Sequence, residues 1–537
     1  MKLKIRILFA LTIAASTPLS SQVLTDSNLP IIVISTGNEE IPDEPKINGT
    51  MGIIYNGEGN TNNADDPFNY YDGSIAIETR GNSTQGFDKK TYSLELRDAS
   101  NEDLSVNLFG MGADEDWILH AMVIDKSQVR IPMSFYFAQQ MGHYSSEWKY
   151  VELIVNKEYQ GLYILVEKIK RDDDRVAIAK LDADDLAGDS LTGGYILRID
   201  WLYDLNDGDS FESSYDSQAG IPMNFQWYYP KANQIQPQQS QYIENWMGDF
   251  EDALFSSDYT NDQGIRYTDY INVDAFTDFL LINELSKNSD GYKLSSYVHK
   301  DKESNGGKLN AGPIWDFDQT YGVSEVCSNF DYSGWTYLQN QGGCEDLESM
   351  PMWWQKMMED TLFQNRLHCR WTEFRTTFLH GDSINEWIDN DVDFISEAIE
   401  RNFTKWDYFI GENIWIEPEP IPQSYSEEID VLKSWITNRL LWMDSNMPGD
   451  CADDVLGIDD VKLKNQITVY PNPSNSLITI TSNLSFPVEF EIYSLLGLTA
   501  MKGNLISSQQ QVDLSQLACN VYFLRINNHV QKIVKTN

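Results

Sequence analysis

Trp148-Lys-Tyr-Val-Glu-Leu-Ile-Val-Asn156 and Gly161-Leu-Tyr-Ile-Leu-Val-Glu-Lys-Ile169, joined by Lys157-Glu-Tyr-Gln160, decide the character of the first half of the chain. Both runs are rich in β-branched and aromatic residues, as half-buried strands are, and the short polar connection makes them a hairpin. Upstream, Ile75-Ala-Ile-Glu-Thr79 and Tyr92-Ser-Leu-Glu-Leu-Arg97 alternate with period two. They flank the polar loop Arg80-Gly-Asn-Ser-Thr-Gln-Gly-Phe-Asp-Lys-Lys90 and predict a second hairpin with a long tip. A helix is predicted between the hairpins, over about 126–141. Beyond the acidic loop 172–190, which reads as solvated surface, Gly193–Asp200 restores a strand. Residues 22–47 carry strand-like pieces such as Pro30–Ser35 among turn clusters, with no functional signal.

The second half changes period. Phe276, Phe279, Leu280 and Ile282 recur at helical spacing within 273–287, and long helical patterns follow at 350–380, 383–405 and 425–446. A β-rich N-terminal lobe followed by a helix-rich C-terminal lobe is an α+β arrangement. Gly449-Asp-Cys-Ala-Asp-Asp454 reads as a linker, placed over 447–460. Residues 461–537 carry six basic and three acidic residues, against an acidic remainder. Their short alternating runs ITVYPNP, LITITS and NVYFLRI predict a small Ig-like β-sandwich.

The 537 residues are 41% hydrophobic and 12% aromatic, enough for more than one core. With 82 acidic and 39 basic residues the net charge is -43, which repels phosphate backbones and anionic lipid and argues against nucleic acid as a partner. Lys2, Lys4 and Arg6 ahead of the apolar run 7–15 predict a secretory signal peptide over 1–21. No later stretch reaches the length of about eighteen apolar residues expected of a transmembrane segment. Of five cysteines, Cys327 and Cys344 bracket a Gly-rich loop and are the expected disulfide. A bridge of that span contributes about 3 kcal/mol in the chain-entropy account.

Three carboxylates stand out by context. Asp290 follows the 273–287 helix in Asn288-Ser-Asp-Gly-Tyr292, where Gly291 allows a tight turn. Asp316 and Asp318 lie at i, i+2 in Gly312-Pro-Ile-Trp-Asp-Phe-Asp-Gln-Thr-Tyr-Gly322, and would share a face of an extended segment. Gathered carboxylates persist mostly where a cation compensates them. Basic partners are available at Arg80, Lys89 and Lys90 on the hairpin tip, and at Lys168 beside Glu167. Phosphoryl transfer from ATP needs such a set, although each residue alone reads more readily as solvated charge or a structural ion pair.

The order of motifs resembles the CotH family of atypical protein kinases. The resemblance is carried by RGNSTQGFDKKTYSLEL, LFGMGADEDWILHAMVIDKSQVR, YVELIVNKEYQGLYILVEKIKR, GGYILRID, WYYPK, INELSKNSDGYKLSSYVHKD and GKLNAGPIWDFDQTYG, across about 48–446. It implies a kinase-like fold, ATP and Mg2+ or Mn2+ as cofactors, and a protein substrate of unknown identity. It further implies a catalytic carboxylate at Asp290, metal binding by Asp316 with Asp318 as a weaker candidate, and nucleotide contacts from Arg80, Glu167, Lys168 and Lys231. Neither Gly-x-Gly-x-x-Gly nor an HRD tripeptide is present, so the ordinary kinase signature is missing. A secreted kinase and a surface adhesion or binding protein on the same scaffold both remain open.

The tail motifs YPNPSNS, IYSLLG and VDLSQLACNVYFLRI resemble the type A sorting domain of the type IX secretion system of Bacteroidota. That resemblance implies the type IX machinery as a partner, delivery to the cell surface or medium, and removal of the tail. Cys519 would leave with it, so Cys327, Cys344, Cys369 and Cys451 would remain.

Overall fold

The computed structural model describes residues 23–81, 83–203, 205–341, 344, 349–407, 409–451, 467–472, 474–482, 486–494, 499–518, 520–526 and 529–536. The expected signal peptide and most of the expected linker lie outside them. The chain divides into two units: residues up to 359 with 370–447, and residues 360–369 with those from 448 onward.

In the first unit, two-residue ladders join β1 (Asp26–Ser27) to β4 (Asn62–Asn63) and β7 (Val106–Asn107) to β8 (Ala113–Asp114). The larger strands close a barrel. They are β2 (Ile31–Ser35), β3 (Ile47–Ile54), β5 (Tyr71–Arg80), β6 (Thr91–Arg97), β9 (Asp116–His120), β10 (Trp148–Val155) and β11 (Glu158–Glu167), in the order β10-β11-β9-β6-β5-β3-β2. Both predicted hairpins are present as β5–β6 and β10–β11, and the parallel pairing of β2 with β10 closes the ring. Alternation sends Ile32, Ile34, Met51, Ile53, Ile75, Ile77, Leu94, Val151, Leu153 and Leu165 into one core. Each fully buried side chain of this kind contributes about 1.5–3 kcal/mol.

The boundary expected at residue 48 lies within the barrel strands. It falls inside β3, and 31–35 forms the closing strand because Ile32 and Ile34 belong to the same core. Helix α1 (Arg130–Gln140) begins later than predicted. Asp125 accepts from the amides of Ser127 (2.9 Å) and Arg130 (2.8 Å), so 125–128 form its entry turn.

A second, antiparallel sheet runs β13-β14-β12-β15-β16, from β12 (Tyr195–Ile199), β13 (Ser210–Asp216), β14 (Pro222–Tyr229), β15 (Ser296–Lys300) and β16 (Leu309–Ala311). Helices supply most of the later chain: α2 (Pro237–Phe255), α3 (Tyr267–Tyr270), α4 (Val273–Ser286), α5 (Trp353–Met357), α6 (Thr361–Arg375), α7 (Gly381–Lys405) and α8 (Tyr425–Asn446). The single pattern read over 350–380 is broken between α5 and α6, where Asp360 accepts from the Leu362 amide (3.1 Å). The described elements are a mixed α+β set, with β15 and β16 falling between α4 and α5.

Within the second unit, β17 (Ile467–Tyr470), β18 (Leu477–Ser482) and β21 (Gln509–Asp513) form one sheet. A second holds β19 (Val488–Ser494), β20 (Thr499–Leu505), β22 (Asn520–Ile526) and β23 (His529–Lys535), and both contribute to one apolar core that includes Ile480, Ile492, Leu514 and Leu524. Disulfides join Cys327 to Cys344 and Cys369 to Cys451.

Candidate active site

Two turns supply the acidic residues. Helix α4 stops at Lys287, which takes a left-handed backbone (φ 47°). In the turn that follows, the Asp290 amide donates to Asn288 Oδ1 (3.0 Å), and the Leu294 amide donates to the Asp290 carbonyl (2.9 Å). Gly291 is demanded by space, since a β-carbon there would lie 2.5 Å from Asn283 Oδ1.

After β16 the chain reaches Asp316, also left-handed (φ 56°). That step ends the extended run, so the alternation expected to put Asp316 and Asp318 on one face does not operate. Charge nevertheless couples them at Asp318. Burial pushes Asp318 well above the usual carboxylate range, and the charges of Asp316, Asp290 and Asp125 push it further. Burial also raises Asp316, against a hydrogen bond from the Ser295 side chain and the charge of Arg80. Asp318 thus lies within electrostatic reach of both Asp316 and Asp290.

Of the expected cations, Arg80 is the one whose charge reaches Asp316. Arg80, the last residue of β5, places its guanidinium 5.7 Å from the centroid of the Trp315 ring, next in sequence to Asp316. Lys168, just past β11, pairs with Asp116 Oδ1 at 2.9 Å. Lys231, just past β14, holds its ammonium 4.6 Å from the Tyr228 ring centroid; lost hydration and the cations Lys168 and Arg198 hold it below its usual range. Tyr228 is influenced by Arg80 and Arg198, and Tyr297 by Arg198, Asp200 and Asp316, so these two rings link the cations to the carboxylates.

Three expected partners sit elsewhere. Lys89 is not a cation on an exposed tip but lies inside the barrel. Its ammonium donates to the carbonyls of Ala121 (2.8 Å) and Leu162 (2.6 Å), which replace water, and burial lowers it to about 7. Lys90 donates to the Gln85 carbonyl (2.6 Å). Glu167 accepts from Tyr144 Oη (3.1 Å) and the Glu147 amide (3.0 Å), and burial pushes it up to about 7. Sequence reasoning missed Arg198 and Asp200, which pair at 3.4 Å. The period-two pattern of GGYILRID reads as scaffold, and only the alternation of Arg198 and Asp200 at i, i+2 could have signalled a shared face.

A cavity beside Asp316 is lined by His120, Ile131, Phe135, Ile164, Val166 and Trp315. His120 Nδ1 accepts from the Met122 amide (3.0 Å), and burial with the charges of Arg80 and Lys89 lowers its pKa to about 3. The imidazole is therefore neutral near pH 7.

Fold and site define a protein of two parts: a mixed α+β domain in which carboxylates and cations converge, and an appended β module. The chain belongs to the CotH kinase protein family, whose model matches residues 77–443, and its end matches the secretion system C-terminal sorting domain over 468–536. None of the curated proteins compared matches the chain. The sorting domain assigns the protein to the type IX secretion route and to the cell surface or exterior. Among the described residues, no helix is long and apolar enough to cross a membrane.

Proposed function

We propose that the α+β domain is a kinase-like ATP-dependent protein kinase that works with Mg2+ or Mn2+ on proteins met along the export route. The observation that carries this reading is that the charges of Asp290 and Asp316, from separate segments, both reach the buried Asp318, while that of Arg80 reaches Asp316. Carboxylate oxygens suit a hard divalent cation, and the raised pKa values record burial and, at Asp318, like charge, both of which such a cation would offset. Asp316, with Asp318, would hold the metal. When bound, it neutralises charge on the phosphoryl group being transferred.

Arg80, Lys168 and Lys231 bind the nucleotide phosphates in this reading, with Arg198 behind them. Glu167 acts through its neighbour, because its bonds to Tyr144 and Glu147 fix the strand end from which Lys168 projects. Asp290 orients the hydroxyl of the protein substrate and accepts its proton. Transfer breaks the bond from the β–γ bridging oxygen to the γ-phosphorus, makes one from the hydroxyl oxygen, and releases ADP.

Purified protein incubated with labelled ATP and Mg2+ or Mn2+ should place phosphate on itself or on co-exported proteins. A wild type that binds no nucleotide with either metal would overturn the kinase reading and leave the adhesion scaffold.

A further inference from the structure

We propose that Asn329 is the positioning residue that holds the two acidic turns of this site in register; the proposal rests on the reading just given. Asn329 is 1% exposed, and its side chain spends every polar atom on backbone from those two turns. The amide nitrogen donates to the carbonyl of Lys287, three residues before Asp290, and to that of Gln319 (2.8 Å), the residue after Asp318. The amide oxygen accepts from the Gly322 amide (3.0 Å). One side chain therefore fixes the Asp290 turn against the Asp316–Asp318 turn, beside the direct bond from the Tyr321 amide to the Ser286 carbonyl (2.7 Å).

The brace is itself anchored. Cys327, two residues upstream, is bonded to Cys344, and the Lys293 ammonium lies 3.8 Å and 3.4 Å from the two sulfurs. The Lys287 ammonium donates to the carbonyls of Ser328 (3.3 Å) and Ser333 (2.6 Å). Residues on both sides of Asp290 thus grip the segment that carries Asn329. Only a carboxamide offers two donors and one acceptor from this position. A carboxylate of equal size cannot donate, and it would face two carbonyl oxygens with negative charge.

Asn329→Asp in the full chain is therefore the test, together with the Cys327→Ser, Cys344→Ser double variant, which loosens the anchor and leaves the amide. Transfer to a hydroxyl should fall about 10²-fold in Asn329→Asp while the Kd for ATP with Mg2+ changes by less than about threefold, since a shift of about 1 Å between reacting groups is enough. Hydrogen exchange should quicken in 288–294 and 316–322 together and stay unchanged in 75–97. The double cysteine variant should show the same pattern to a smaller degree. Unchanged protection of both turns in Asn329→Asp would overturn the proposal, as would faster exchange spread evenly over the domain with the activity loss following a fall in Tm. If the wild type transfers no phosphate, the proposed reaction fails, yet exchange still decides: paired loosening supports the brace, and unchanged protection removes it.

Discussion

Two groups of acidic residues lie in the first unit, and the balance of burial and charge differs between Asp116 in one and Asp318 in the other. Asp114, Glu115 and Asp116 bring ligand atoms within 4.8 Å of one another, which is metal-like spacing. Lys168 reaches Asp116 at 2.9 Å, Lys170 reaches Asp114 at 3.2 Å and Asp116 at 3.0 Å and also pairs with Glu115, and Arg175 reaches Asp114 at 3.5 Å. Burial works against the charged form of Asp116, but the two lysines outweigh it and hold the carboxyl below its usual range. In the other cluster burial and like charge add, and Asp318 rises. At Asp116 the lysine charges outweigh burial, whereas at Asp318 burial and like charge act in the same direction.

The sharpest break of this comparison is Asp316→Asn, which should abolish Mg2+-dependent ATP binding and transfer together, as read by calorimetry and labelled ATP. Binding that survives in the variant would demote the second cluster to the standing of the first. Asp290→Asn should leave nucleotide binding in place while transfer falls by about 10²-fold, the scale for losing a positioned general base. Equal loss of both in that variant would merge the two roles assigned to Asp290 and Asp316.

Lys170→Met tests the first cluster. Its side chain is about one-third exposed, so the loss should be moderate, about 1–3 kcal/mol by denaturant unfolding, with the Kd for ATP unchanged. A loss of ATP affinity without a loss of stability would reverse the assignment.

The smallest effect is one of pH. Folding raises Asp318, so the native state keeps a proton that the unfolded chain releases. Stability from this group is full below the ordinary aspartate value and declines as pH rises toward the raised folded value. Asp116 is depressed, so its contribution is present above the ordinary value and is lost as pH falls toward the folded one. Asp318→Asn should accordingly gain in Tm over wild type as pH rises above the ordinary aspartate value, and Mg2+ should close the gap. A Tm difference that stays constant with pH would show that Asp318 is not held protonated by folding.

The hairpins, the α4 helix and the turn at Asp290 were legible because each depends on residues close in sequence. The barrel was not, since its closure joins Ile31 to Glu152, and no local pattern marks a pairing so distant. Lys89 was misplaced for a related reason: a lysine in a polar loop reads as exposed, whereas two carbonyls and the Tyr163 ring, 4.8 Å away, receive this one in the core. Asp316 and Asp318 were found by context, but the left-handed backbone at Asp316, which no residue type announces, replaced the extended geometry on which their pairing had been argued.

The closing strand of the barrel also imposes an order of events on the nascent chain. β2 is synthesised ahead of every other strand of the ring, yet one of its two neighbours, β10, is the next to last to be made. Through that interval β3 can cover one edge of β2, while the other edge, flanked by Ile31, Ile32 and Ile34, waits with its backbone groups unpaired. Folding of this domain therefore turns on a late, long-range event, and a holding factor that shields residues 31–35 would raise its yield more than any help given to the hairpins.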